Sequence, residues 1–64
     1  MLKVTLVTGE VVEVPTQSFV VKTWNAGKWH NRKVFLPTEY DLAVKYYSDL
    51  MADGWVHVDI VQLF

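Results

Sequence analysis

The absence of cysteine from this 64-residue chain limits most strongly what it can fold into. A domain of about 60 residues buries only about 60% of its unfolded surface, and small domains therefore often need disulfide bonds or a structural metal. This sequence can form neither a disulfide nor a thiolate metal site. We expect residues 1–64 to form a single small domain. Its hydrophobic residues, 52% of the chain, must build a core by packing alone or with the help of dimerisation.

The first 15 residues are typical of a β-hairpin that turns at Thr8-Gly9 and ends before Pro15. A two-residue loop would place Val4 opposite Glu13 and mix apolar with charged side chains on one face. A three-residue loop, residues 7–9 with Gly9 left-handed, places Val4 opposite Val12. The second register keeps each face uniform, and we therefore predict it.

A second hairpin is predicted from strands at residues 19–24 and 29–35, joined by a turn at residues 25–28. A two- or four-residue loop would set Trp24 directly opposite Trp29 as a cross-strand aromatic pair. A three-residue loop would instead pair Trp24 with Lys28. The sequence leaves this register open.

A helix is predicted to begin after Thr38, a good N-cap residue, and to stop at Gly54. Its apolar side chains recur at a spacing of three to four residues and predict a core-facing stripe. The stripe consists of Tyr40, Ala43, Val44, Tyr47, Leu50 and Met51. Leu42 and Tyr46 widen the apolar surface on one flank. They form either a secondary interface for a protein or a second copy, or a surface that the sheet curls around and covers.

A last strand is predicted within residues 55–64, where Val56, Val58 and Ile60 alternate with His57 and Asp59. The element order is therefore strand, strand, strand, strand, helix, strand. The simplest architecture for this order is an α+β fold, with one helix packed on one face of a single, mostly antiparallel sheet.

Charge is unevenly distributed, because the segment between Val14 and Leu36 contains no acidic residue. The acids outside it are Glu10, Glu13, Glu39, Asp41, Asp49, Asp53 and Asp59. The segment itself carries the candidate binding residues, which are Lys22, Trp24, Lys28, Trp29, His30, Arg32 and Lys33. Aromatic rings supply contact area and cations supply orientation, a combination typical of recognition surfaces.

The function that this pattern favours is a non-enzymatic protein-binding module. It would act as an inhibitor or regulator that docks on a larger partner through residues 22–33. One alternative is a nucleic-acid-binding module in which bases stack on Trp24 and Trp29 while the cations contact phosphates. A net charge of −1 argues against that alternative. A second alternative is a self-associating structural protein, such as a homodimer. In size and layout the chain looks like the compact proteins that phages use against host machinery, a likeness that rests on no motif.

No catalytic constellation is evident in the sequence. His57 and Asp59 share one face of a strand, with Cβ atoms about 6.5–7 Å apart, and we interpret them as the polar outer face of an edge or one-sided strand rather than as a base or metal site. An activated nucleophile, a glycine-rich phosphate loop and a full metal-ligand set are all missing, so we expect no enzyme, metal or cofactor. No run approaches the roughly 18 apolar residues of a membrane span. The lack of cysteine and of a signal-like start favours a cytoplasmic location without membrane contact.

Overall fold

The computed structural model describes all residues, 1–64, and contains five strands and one helix in the predicted order. The elements are β1 (Leu2–Thr5), β2 (Val11–Val14), β3 (Phe19–Asn25), β4 (Lys28–Phe35), α1 (Tyr40–Ala52) and β5 (Val58–Gln62). The α+β class, the antiparallel pairing and the helix on one sheet face are confirmed. The strands form two sheets rather than one, a β1-β2 pair and a three-stranded sheet with the order β4-β3-β5.

The three-stranded sheet is covered on both faces, and the molecule therefore has three layers. Val20 packs with Val4 and Val14 of the first hairpin, whereas the next residue, Val21, packs with Ala43 and Leu50 of α1. Neighbouring strand residues point to opposite faces, so two consecutive buried valines require cover on both sides. The first hairpin supplies that cover by lying against the sheet instead of extending it, which explains why there are two sheets.

The first hairpin has the predicted register. Val4 lies opposite Val12, Lys3 lies opposite Glu13, and Gly9 has a φ of 92° in the three-residue loop. Strand β2 ends at Val14, directly before Pro15. One apolar face thus remains continuous and packs against the central sheet.

The second hairpin turns through a two-residue loop, which places Trp24 directly opposite Trp29. The loop residues Ala26 and Gly27 have φ values of 54° and 81°, as a type I′ turn requires. The pairing then shifts between Val21 and Lys22, so that Arg32 is an extra residue in β4. This β-bulge changes the face on which the following side chains lie.

Helix α1 begins one residue later than predicted, with Glu39 rather than Thr38 at the N-cap. The prediction of Thr38 is wrong because no side chain caps the first turn of the helix. The Glu39 side chain instead binds a backbone donor that precedes the helix. Its Oε1 accepts a hydrogen bond of 2.8 Å from the N–H of Leu36. The predicted stop at Gly54 is confirmed, since this residue has a φ of 100° and follows the C-cap.

The buried stripe of α1 is narrower than predicted and is rotated toward Tyr46. Ala43 and Leu50 are buried, whereas Val44 and Met51 are exposed, because a sheet of three strands covers only a narrow strip of the helix. Val56 is also exposed, contrary to the alternation predicted for the last strand. The reason is that β5 begins to pair with β3 only at Val58.

Candidate functional site

One face of the central sheet carries three rows of side chains that run across β4, β3 and β5. The register defines them as an apolar row, a polar row and an aromatic row. The rows are Val34-Val20-Val61, Asn31-Lys22-Asp59 and Trp29-Trp24-His57. His57 precedes β5 but belongs to the last row, because its carbonyl oxygen accepts a 3.1 Å hydrogen bond from the N–H of Trp24.

The first hairpin covers the apolar row and ends at the polar row. At that point the N–H of Val7 donates to the carbonyl oxygen of Asn31 at 2.8 Å. Asn31 in turn donates through Nδ2 to the carbonyl oxygen of Thr5 at 3.1 Å. The hairpin reaches no further along the sheet, so Trp24 and Trp29 each remain 42% exposed.

The aromatic row has a defined geometry. The rings of Trp24 and Trp29 meet edge to face, with centroids 5.6 Å apart and planes inclined by 74°. His57 completes the lining of an open depression beside them. The Nζ atom of Lys22 lies 5.2 Å from the ring centroid of Trp29. These four residues, Lys22, Trp24, Trp29 and His57, are called the Trp face below.

The remaining predicted binding residues lie on the opposite face, beside α1. Alternation along β4 places Lys28, His30 and Arg32 there, and the bulge brings Lys33 to the same side. The Cζ atom of Arg32 lies 4.8 Å from the centroid of Trp55, and the Nζ atom of Lys33 lies 5.4 Å from that of Phe35. The structure therefore divides the predicted site between two surfaces.

Carboxylates do not pair with the basic residues of the acid-free segment. The only ion pair in the structure joins Lys45 and Asp49 on the exposed side of α1, at 3.5 Å. Lys22, Arg32 and Lys33 instead lie over aromatic rings. Each of these three cations lies within about 6 Å of a ring centroid, a distance at which the ring face attracts a cation. The rings hold these cations in place without neutralising their charge.

The predicted secondary interface lies on the α1 side of the molecule, away from the Trp face. Leu42 is exposed, whereas Tyr46 is half-buried with its ring centroid 5.8 Å from that of Phe35. Both residues line a shallow depression whose rim carries Lys33 and Lys45. The sheet thus covers Tyr46 in part and leaves Leu42 uncovered.

His57 and Asp59 share one face, as predicted, but they form no hydrogen bond with each other. The carboxylate of Asp59 accepts a bond of 2.9 Å from the N–H of Ile60 instead. The buried Ser18 hydroxyl donates to the carbonyl oxygen of Pro15 at 2.6 Å and therefore has a structural partner. No group of three His, Cys, Asp or Glu side chains is placed to hold a metal ion.

His57 belongs to the Trp face but is not among the binding residues predicted from the sequence. Only the pairing of β5 with β3 brings it beside Trp24, and no local pattern indicates which strands pair. The single helix, α1, is not long and apolar enough to cross a membrane. Comparison of the chain with protein-family models, curated proteins and solved structures finds no match.

Proposed function

We propose that the chain is a non-enzymatic protein-binding module that docks on a larger partner through the Trp face. The observation that carries this proposal is the uncovered aromatic row. The first hairpin covers the apolar row of the same sheet face, ends at the polar row, and leaves two neighbouring tryptophans exposed beyond it. Tryptophan is among the residue types that contribute most binding energy at protein interfaces.

The Trp face has the layout of an interface centre with a polar rim. Trp24 and Trp29 lie on paired strands and contact each other, so their rings lose little conformational freedom when a partner binds. Lys22 and Asn31 in the polar row border them on one side. A rigid aromatic centre beside polar groups favours a preformed docking surface over an adaptable one.

The charge on the Trp face indicates the chemistry of the partner. Lys22 has no carboxylate within salt-bridge distance in the chain, although Asp59 is its cross-strand neighbour. A partner that places an apolar group against Trp24 and a carboxylate near Lys22 would match both features. We therefore propose a partner surface that combines apolar and acidic side chains.

The placement of the cations favours a protein over a nucleic acid. Base stacking on Trp24 or Trp29 would need nearby cations to hold the phosphates of the same strand. Of the basic residues in the acid-free segment, Lys22 shares the sheet face of the tryptophans, whereas Arg32 and Lys33 lie on the other side. A single nucleic-acid strand would have to pass around the edge of the sheet to contact both groups.

The test begins with capture of partners from the native host by the wild-type chain, followed by affinity measurement with each purified candidate. Trp29→Ala and Lys22→Ala should both weaken binding, the tryptophan change by about 2 kcal/mol or more, roughly 30-fold. Val56→Ala is a matched control, since Val56 is 76% exposed but lies outside the Trp face. Equal affinity for wild type and Trp29→Ala would contradict the proposal.

A separate titration tests the alternative that the chain binds nucleic acid. Single- and double-stranded oligonucleotides are titrated at low salt against wild type and a Lys28→Ala, Arg32→Ala, Lys33→Ala triple variant. The proposal predicts no salt-sensitive binding by either protein. Binding that weakens steeply with salt and is lost in the triple variant would favour the nucleic-acid function instead.

A further inference from the structure

The two edges of the central sheet differ in how their backbone groups are covered. At the β4 edge, the N–H of Val7 binds the outward carbonyl oxygen of Asn31, and the bulge at Arg32 interrupts regular pairing. Both features are known ways of keeping an edge strand from pairing with another chain. Strand β5 forms the other edge of the sheet, and no segment of the chain pairs with its outer side.

The hydrogen bonds between β3 and β5 identify which backbone groups of β5 point outward. The N–H of Trp24 donates to His57, and the N–H of Leu63 donates to Ser18. Odd-numbered residues of β5 therefore direct their backbone groups toward β3. By alternation, the N–H and C=O groups of Val58, Ile60 and Gln62 lie on the open edge.

The side chain of Asp59 binds the central outward N–H group of this open edge, which belongs to Ile60. Its Oδ1 atom accepts a hydrogen bond of 2.9 Å from the N–H of Ile60. An incoming strand would have to displace the carboxylate from this N–H before a backbone carbonyl could bind there. Asp59 is also the only charged residue among the five residues of β5. An inward or edge charge of this kind opposes strand pairing.

We infer that Asp59 keeps the β5 edge from pairing with the same edge of a second copy of the chain. In an antiparallel pair centred on Ile60, this residue lies opposite its own symmetry mate and Val58 lies opposite Gln62. The same register puts Asp59 against Val61 and removes water from the carboxylate. Without Asp59, β5 is an uncharged, β-branched strand with outward backbone groups, which is typical of segments that pair edge to edge.

A second copy is the occupant that the edge fits best. In the symmetric Ile60-centred register, Asp59 is the one charged side chain that each copy brings into the strand pair. The β4 edge is less suited to pairing with itself, because the bulge at Arg32 interrupts the strand and three of its eight residues, Lys28, Arg32 and Lys33, are cationic. Self-pairing is therefore confined to β5.

The test compares Asp59→Ala with Asp49→Ala, which removes the same charge from an exposed helix position. Sedimentation over a range of concentrations should find wild type and Asp49→Ala monomeric. Asp59→Ala should form a dimer with a dissociation constant at least about tenfold below any self-association of wild type. Asp59→Val, which favours strand structure, serves the same purpose if the alanine variant fails to fold.

Amide hydrogen exchange locates the contact. In wild type the Ile60 amide should exchange more slowly than those of Val58 and Gln62, because only Ile60 has the Asp59 partner. In Asp59→Ala all three amides should become protected as concentration rises. A folded Asp59→Ala chain that stays monomeric, a dimeric wild type, or a dimer that protects amides outside β5 would overturn the inference.

Discussion

The hydroxyl of Thr23 is the single buried side-chain polar atom without a hydrogen-bond partner, and its removal should stabilise the fold. Thr23 is fully buried near the middle of β3, between His30 and Val58 of the neighbouring strands. Leaving a buried donor or acceptor unsatisfied costs about 1–3 kcal/mol. Thr23→Val replaces the hydroxyl with a methyl group and keeps the branched shape.

The size of the effect follows from this burial. Valine avoids the desolvation cost of the hydroxyl and adds the burial of one apolar carbon, worth about 0.8 kcal/mol at most. We expect the free energy of unfolding to rise by about 1–2 kcal/mol. For a domain of 60–100 residues, each kcal/mol raises Tm by about 4–8 °C.

Urea denaturation measures the change, provided that wild type and variant show equal slopes of unfolding free energy against urea. Thr23→Ala is the control, because it removes the hydroxyl and also the methyl group and should therefore lose packing. If Thr23→Val is less stable than wild type, the hydroxyl has a favourable partner. That result would refute the assignment of the Thr23 hydroxyl as a buried group without a partner.

Two further predictions concern the turn and the helix. Ala26→Asn should raise the free energy of unfolding by up to about 1 kcal/mol, measured by thermal denaturation, because Ala26 has a φ of 54° and asparagine tolerates this conformation better. Unchanged or lower stability would argue against the type I′ turn. Leu50→Ala should destabilise the fold by about 2–5 kcal/mol, whereas Leu42→Ala on the same helix should change stability by less than about 0.5 kcal/mol. Similar losses from the two leucine variants in chemical denaturation would mean that the buried stripe of α1 is misassigned.

Some of the fold could be predicted from the sequence because local patterns specify it. The alternation of valines with charged residues determines the register of the first hairpin, and Gly54 determines where α1 ends. The two-residue loop of the second hairpin could not be predicted, because alanine rarely adopts the positive φ that Ala26 has. The division into two sheets could not be predicted either, since an apolar strand face requires cover but does not specify which element provides it.

The candidate site was predicted in part, for a similar reason. The sequence correctly brings Trp24 and Trp29 within reach of each other under two of the three loop lengths considered. It cannot reveal the bulge at Arg32, which moves Lys33 from the face of the tryptophans to the face beside α1. Nearness along the chain therefore overstated how many cations share one surface with the tryptophans.

The most direct test of the central claim measures two quantities on the same Trp24→Ala protein. One is its free energy of unfolding, and the other is its affinity for a purified partner of the wild-type chain. Since Trp24 is 42% exposed at the end of the sheet, stability should fall by only about 1–3 kcal/mol and the fold should persist. Affinity should fall at least about 30-fold, equal to 2 kcal/mol. A folded variant that binds as well as wild type, or a variant that cannot fold, would contradict the assignment of the Trp face as a binding surface.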